Sequence, residues 1–316
     1  MWFKDLFGFE EVSPEYVRDK ITVEGNQLFS KVNGKSYTYG EFETPKLREL
    51  KCLSGLDSYT DAIKVKEIRA DVQELHCDPS NRNALFQAAS QFNTLEMVGP
   101  HVTPERGIGI YEYDKTQGPA CAIACGAGTT YRNYFVPNNG EIGQSATNQI
   151  DCLESIGYSL GNHDSKLWQM SNGYVICNHK GLLNVNAQIH QLNKIGREEL
   201  KEQLKVGIQW NTEVTLNNSQ QLVSQVYCSA LPVAYSHIES FYWEPFASIV
   251  LEATYEATLH AALINYKHTS CNKVFLTYVG GGAFGNDMDW ISKAMTKALS
   301  KFKQTPLDVR IVTYGG

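Results

Sequence analysis

The eight cysteines form no Cys-x-x-Cys pair, which excludes a zinc ribbon. Cys121 and Cys125 stand four apart without a second pair in reach, so no metal site is expected there, and the rest read as small buried hydrophobes of a reducing compartment. No apolar stretch reaches membrane-spanning length, and Met1-Trp2-Phe3-Lys4-Asp5 runs straight into charged sequence. Neither a membrane span nor a signal peptide is therefore expected, and a cytoplasmic site of action is. An excess of basic residues is missing too: 28 Lys and Arg against 34 Asp and Glu leave a net charge of -6. That balance argues against nucleic acid as a partner. It leaves a phosphate-bearing small molecule open, because backbone amides bind phosphate without basic side chains. No internal repeat and no low-complexity tract interrupts the 316 residues.

What is present is an α/β rhythm. Asn33-Gly34 between two alternating runs, Gln27–Val32 and Lys35–Tyr39, predicts a β-hairpin, followed by a short helix around Pro45–Cys52. Ile63–Ile68 alternates like a strand. Asn83–Phe92 carries Ala84, Leu85, Ala88, Ala89 and Phe92 at helical spacing. Ala120–Ala124 is a continuous apolar run of the kind expected for a strand buried on both faces. A helix over Gln144–Tyr158 and a strand over Tyr174–Cys177 follow. Residues 179–222 read as an insertion holding a charged helix at Arg197–Leu204. The rhythm then resumes: strand Leu222–Tyr227, loop Ser229–Tyr235, helix Pro245–Ile264, strand Lys273–Val279, helix Asp287–Phe302 and strand Asp308–Tyr314. Alternation of this kind implies a largely parallel sheet covered on both faces. Residues 1–58 form an N-terminal extension on a main domain at 59–316.

The strongest local motif is the strand ending at Val279, then Gly280-Gly281-Gly282-Ala283-Phe284-Gly285, then a helix. Glycines let backbone N–H groups approach an anion, and a helix start adds a favourable dipole. Gly280, Gly282 and Gly285 also satisfy the dinucleotide fingerprint G-x-G-x-x-G. That fingerprint opens a βαβαβ unit, whereas only about thirty residues follow here, and no acid sits at the carboxyl end of the last strand. The loop does not end in Gly-Lys-Ser/Thr either, so it is not a P-loop.

In these residues the chain resembles the macrodomains. A penultimate strand, a glycine-rich turn with an aromatic before its last glycine, an amphipathic helix and a closing strand match their C-terminal part. Gly282-Ala283-Phe284-Gly285-Asn286-Asp287 is similar to the diphosphate loop of poly(ADP-ribose) glycohydrolases. The resemblance implies a three-layer α/β/α macrodomain with a mixed, mostly parallel sheet and an N-terminal β-hairpin and helix extension. It assigns Gly281, Gly282, Ala283, Phe284 and Gly285 to the pyrophosphate of ADP-ribose. Asp71 falls where the family places an acceptor for the adenine amino group, or else it is a helix N-terminal acid. Asn93 falls near the family asparagine that faces the distal ribose.

The catalytic loop departs from the family. In place of Gly-Gly-Gly-Val-Asp and Gln-Glu-Glu stands Thr103–Pro119, with Glu105, Glu112 and Asp114 ahead of Thr116-Gln117-Gly118-Pro119. This resembles a branch with MavL-type bacterial effector hydrolases, in which acids before such a turn act on arginine-linked ADP-ribose. The implied activity is ADP-ribosylhydrolase action on modified protein, without cofactor or metal, and delivery into a host cell becomes conceivable. Cleaving the ribose C1″–N bond passes through an oxocarbenium-like state and needs carboxylates. Asp114 is the first choice for the base, Glu105 the second and Glu112 a reserve, against a merely solvated charged stretch. Gln117 is placed on the ligand, while Arg132–Phe135 and Cys228–Pro232 are candidates for its border. Two other readings stand beside this one: a non-catalytic reader of ADP-ribose, and a hydrolase using Cys228 or Ser229 with His237 or His260.

Overall fold

The structure is a computed structural model that describes residues 1–313; Tyr314, expected at the end of the last strand, lies outside the described residues. The chain begins with α1 (Trp2–Phe7) and α2 (Pro14–Lys20), the latter capped by the Ser13 hydroxyl. An antiparallel sheet of β1 (Ile21–Glu24), β2 (Gln27–Ser30) and β3 (Ser36–Thr38) follows, with β2 and β3 forming the expected hairpin. Then come β4 (Glu41–Glu43), α3 (Leu47–Ser54), β5 (Lys64–Arg69), α4 (Val72–Cys77) and β6 (Leu85–Ala89). A long irregular stretch leads to α5 (Gln117–Ala124) and α6 (Gly126–Tyr134). Next are the small hairpin β7 (Pro137–Asn138) and β8 (Glu141–Ile142), α7 (Glu154–Ser159), and the hairpin β9 (Trp168–Ser171) and β10 (Tyr174–Cys177). The chain ends with α8 (His179–Gln191), α9 (Lys194–Lys201), β11 (Gly207–Glu213), β12 (Leu222–Cys228), α10 (Glu244–Thr269), β13 (Lys273–Leu276), α11 (Met288–Lys301) and β14 (Asp308–Thr313).

Seven strands make the main sheet in the order β4-β11-β12-β6-β13-β14-β5. From β12 to β5 all neighbours are parallel, and β11 and β4 close one side antiparallel. The protein is thus a three-layer α/β/α fold on a mixed, mostly parallel sheet. The central strand β6 shows how side chains divide between layers. Leu85 joins the core beneath α10, whereas Phe86 and Ala88 join the core beneath α4 and α5. Phe86 stacks on Phe275 of β13 at 4.5 Å and on His76 of α4 at 3.8 Å. Helix α10 is apolar on nearly every side because it lies between the sheet and an outer shell of α3, α8, α9 and α11.

Several elements differ from those that the sequence predicts. Residues 85–89 are a strand, not part of a helix over Asn83–Phe92: burial on both faces of the sheet overrides the helical spacing. Ala120–Ala124 is the end of helix α5, not a strand. Its Gly118 permits this, since a Cβ there would come within 1.9 Å of the Ala89 carbonyl oxygen. The helix expected over Gln144–Tyr158 shrinks to Glu154–Ser159. Residues 179–222 carry α8, α9 and β11, and β11 is an integral strand of the main sheet. Within residues 1–58, β4 pairs with β11 and α3 packs on α10.

Candidate functional site

The parallel strands end together at Ala89, Cys228, Leu276, Thr313 and Arg69, and a crevice opens where their following loops diverge. One end, a cavity of about 320 Å3, lies at the close of β5 against Ala70–Gln73 and reaches Gln117 and Thr277. The adjoining part runs under Thr277–Gly280 and Gly282–Phe284, past Tyr174 and Tyr235, to Glu96 and Asp114. Beyond those two acids an outer groove of about 910 Å3 continues along His101–Arg106 and Ile110–Lys115.

The glycine loop is built as an amide cradle. Turn hydrogen bonds consume the N–H groups of Val279, Gly281, Gly285 and Asn286, and the Asn286 side chain ties the loop to the Leu231 carbonyl. The N–H groups of Gly280, Gly282, Ala283 and Phe284 have no partner among the described residues, and these same four residues line the crevice. A convergent set of free backbone donors is an anion site without a basic side chain. Gly281 and Gly285 do not line the crevice; they shape the turn, Gly285 at φ +68° and Gly281 against Ile291 and Met288 of α11. The expected help from a helix start is absent, because the Asp287 carboxylate caps α11 with its own negative charge.

Asp71 sits at the 320 Å3 end, and one of its oxygens caps α4 by accepting from the N–H groups of Gln73 and Glu74. Gln117 borders both inner parts of the crevice. Its amide accepts from the Ala89 N–H at 2.8 Å and donates to the Gln87 carbonyl at 2.8 Å, so it finishes the edge of β6. Asn93 is fully buried, donates to Gln149 and accepts from the Leu95 N–H, and does not line the crevice.

Among the expected acids, Asp114 alone reaches all three parts of the cleft, and its Oδ1 accepts from the Thr116 N–H at 2.8 Å. Glu105 is exposed on the outer groove and accepts from the Ala146 N–H at 2.7 Å. Glu112 borders the Asp71 end, 3.9 Å from the N-terminal amine. The charged-stretch alternative does not describe Asp114, which is half-buried at the junction of the three cavities.

Glu96, which no sequence motif marks, joins these acids. A tight turn at residues 91–95 throws it back across the end of β6: the Gln91 N–H donates to the Leu95 carbonyl, and Thr94 takes φ +65°. The residue is 2% exposed, lines both the crevice and the outer groove, and neither carboxylate oxygen has a hydrogen-bond partner. Burial pushes its carboxyl up to about 8, against the opposing pull of Arg132. A signal existed: Glu96 is the single charged residue between Arg82 and His101 apart from those two ends.

For the cysteine or serine hydrolase reading, Cys228, Ser229 and His260 have other partners. Cys228 contacts Gln87 and Thr258, Ser229 donates to the Ala230 carbonyl, and His260 meets the Ser54 hydroxyl at 2.7 Å. The string Gly157-Tyr158-Ser159-Leu160-Gly161 matches a serine-nucleophile pattern, yet it runs off the C-terminal end of α7 rather than forming a strand-to-helix turn. Arg132 and Asn133 are buried away from the crevice, whereas Ala230, from the Cys228–Pro232 loop, lines it. Among the described residues no group of three or more His, Cys, Asp or Glu could hold a metal ion, and no helix is long and apolar enough to cross a membrane.

No protein-family model matches the chain, and no curated protein matches it. Among solved structures it is similar to poly(ADP-ribose) glycohydrolase from Thermomonospora curvata bound to the inhibitor ADP-HPD, with 11% identity, 95% of this chain and 89% of that chain covered, and a TM-score of 0.41. It is also similar to poly(ADP-ribose) glycohydrolase from Deinococcus radiodurans in complex with ADP-ribose, with 11% identity, 87% of this chain and 88% of that chain covered, and a TM-score of 0.45.

Proposed function

We propose that the protein is an ADP-ribosylhydrolase that frees ADP-ribose from a modified protein side chain, arginine foremost. The observation that carries this reading is the placement of four free amides, at Gly280 and Gly282–Phe284, in the same crevice as Asp114 and as Glu96, whose buried carboxyl accepts no hydrogen bond. A diphosphate on the amides directs one nucleoside end toward Asp71 and the distal ribose toward the two acids. The similarity of Gly282–Asp287 to a known diphosphate loop supports the same ligand.

The two acids suit the two halves of a glycosidic hydrolysis. Asp114, on a polar turn open to water, takes a proton from the water whose oxygen bonds to C1″. The electron pair of the C1″–N bond goes to the departing nitrogen, which collects a proton from Glu96. Burial raises the Glu96 carboxyl toward neutrality, the direction a general acid requires. Glu105, on the outer groove, holds the cationic guanidinium as it leaves, and Glu112 stays at the adenosine end.

The test is incubation with an arginine-ADP-ribosylated protein while free ADP-ribose is measured. Release supports the reading. Binding of free ADP-ribose by calorimetry with no release from arginine or any other linkage would make the protein a reader instead.

A further inference from the structure

The loop that carries Glu105, Glu112 and Asp114 has little regular structure of its own, two 3-10 turns at Pro104–Arg106 and Gly109–Tyr113. One carboxylate from the N-terminal segment holds two of its consecutive backbone amides. Glu11 accepts from the Ile108 N–H at 2.9 Å through one oxygen and from the Gly109 N–H at 2.6 Å through the other. The Tyr134 hydroxyl of α6 donates to it as well, at 2.5 Å. The loop backbone is shaped to admit this side chain. A Cβ at Gly107 would come within 2.5 Å of the Glu11 carboxylate, and one at Gly109 within 2.8 Å. The glycines at both positions let the carboxylate sit against the backbone.

The hydrophobic packing points the same way. Phe3, Phe7 and Phe9 of the N-terminal segment share one core with Leu95, Met97, Ile108, Tyr111 and Tyr134. Leu95 and Met97 flank Glu96, and the Tyr111 hydroxyl accepts from the Glu96 N–H at 3.0 Å. The turn that carries Glu96 and the loop leading to Asp114 therefore share one core with the N-terminal segment.

We infer that Glu11 is a positioning residue: it clamps the acid-bearing loop at Ile108 and Gly109 and so fixes Asp114 against the ribose, making the N-terminal segment part of the catalytic apparatus. The catalytic half of this inference rests on the proposed hydrolase reading; the clamp itself does not. A displacement of the loop by about 1 Å is enough to lower turnover about a hundredfold. The diphosphate cradle lies on the other wall and shares no contact with Glu11 among the described residues.

Glu11→Gln and Glu11→Ala test this in the full chain. The amide oxygen of Gln accepts from one N–H but not from both, so one of the Ile108 and Gly109 amides in Glu11→Gln, and both in Glu11→Ala, exchange with solvent about tenfold faster than in the wild type. That measurement needs no substrate. In turnover, kcat for ADP-ribose release falls about tenfold to a hundredfold, less in Gln than in Ala, while the affinity for free ADP-ribose, read by calorimetry, stays within about threefold. Unchanged exchange at Ile108 and Gly109 overturns the clamp. Wild-type kcat in Glu11→Ala, or equal losses in kcat and in ADP-ribose affinity, overturns its catalytic role. Absence of release by the wild type defeats the hydrolase reading and leaves the exchange result to decide the clamp alone.

Discussion

The Glu96 carboxylate faces the Arg132 guanidinium at 3.7 Å, with both side chains shut off from solvent. The separation is too long for a hydrogen bond; the guanidinium's own hydrogen bonds go elsewhere, and its Nη1 makes none. Its Nε donates to the Thr94 carbonyl, one NH2 group donates to Thr129, and its plane lies 3.5 Å over the Tyr227 ring. The pair is therefore only partly compensated. Burial wins, and the acid keeps its proton near neutrality.

Replacing Glu96 with Gln keeps shape and removes the proton donor. Release of ADP-ribose falls about a hundredfold or more, with affinity for free ADP-ribose retained. The same variant has a signature in stability. Folded Glu96 holds its proton up to about 8, well above the ordinary 4.5. Between those values the folded state binds more protons than the unfolded chain, so this contribution to stability weakens as pH rises through the window. Urea midpoints measured across that window decline less steeply in Glu96→Gln than in the wild type.

At acid pH two buried histidines act in the opposite direction. Burial pushes His76 down to about 4 and His260 down to about 3. An unfolded chain protonates them from about 6.5 downward, so their contribution is complete above that value and is lost as pH falls toward 3 to 4. His260→Asn reduces the acid-side slope of the urea midpoint, an outcome read against the wild type over the same range.

Gly282 and Gly280 separate binding from folding. A Cβ at Gly282 meets nothing within 4 Å, so Gly282→Glu keeps the melting temperature. Its bulk and charge block the amide cradle, and calorimetry shows ADP-ribose affinity reduced about a hundredfold or more. Gly280 stands at φ +81°, with a Cβ placed 2.4 Å from that of Ala230. Gly280→Ala therefore costs about 1–3 kcal/mol of stability, measured by chemical denaturation.

Helix α5 depends on Gly118 in the same manner. The Cβ of Gly118→Ala would sit 1.9 Å from the Ala89 carbonyl oxygen, forcing α5 away from the end of β6. Overpacking of this kind costs about 1–3 kcal/mol, and it also moves Gln117, so ADP-ribose affinity falls with stability.

The C-terminal half was legible in the sequence because its elements are long and separated by clear breaks. The helix expected over Pro245–Ile264 is α10, and the strand, glycine loop, helix and strand after it are β13, the cradle, α11 and β14. The front half was not. Leu85–Ala89 and Ala120–Ala124 are short apolar runs, which spacing alone cannot divide between helix and buried strand. Each took the form that its neighbours impose: β6 is sandwiched by two helical layers, and α5 is admitted by Gly118. Of the candidate site, Asp114 was legible as a candidate because it stands beside a turn motif. Glu96 was not, because its place comes from the turn at 91–95 and from burial that only the folded chain supplies.

The most direct measurement is ADP-ribose released from an arginine-ADP-ribosylated protein by the wild type and by Asp114→Asn, with ADP-ribose affinity determined for both. Asn preserves an oxygen for the Thr116 N–H and removes the base. Release by the wild type, a loss of about a hundredfold or more in the variant and equal affinities are expected. Equal release by the two proteins would contradict the assignment of the base, and no release by either would contradict the hydrolase itself.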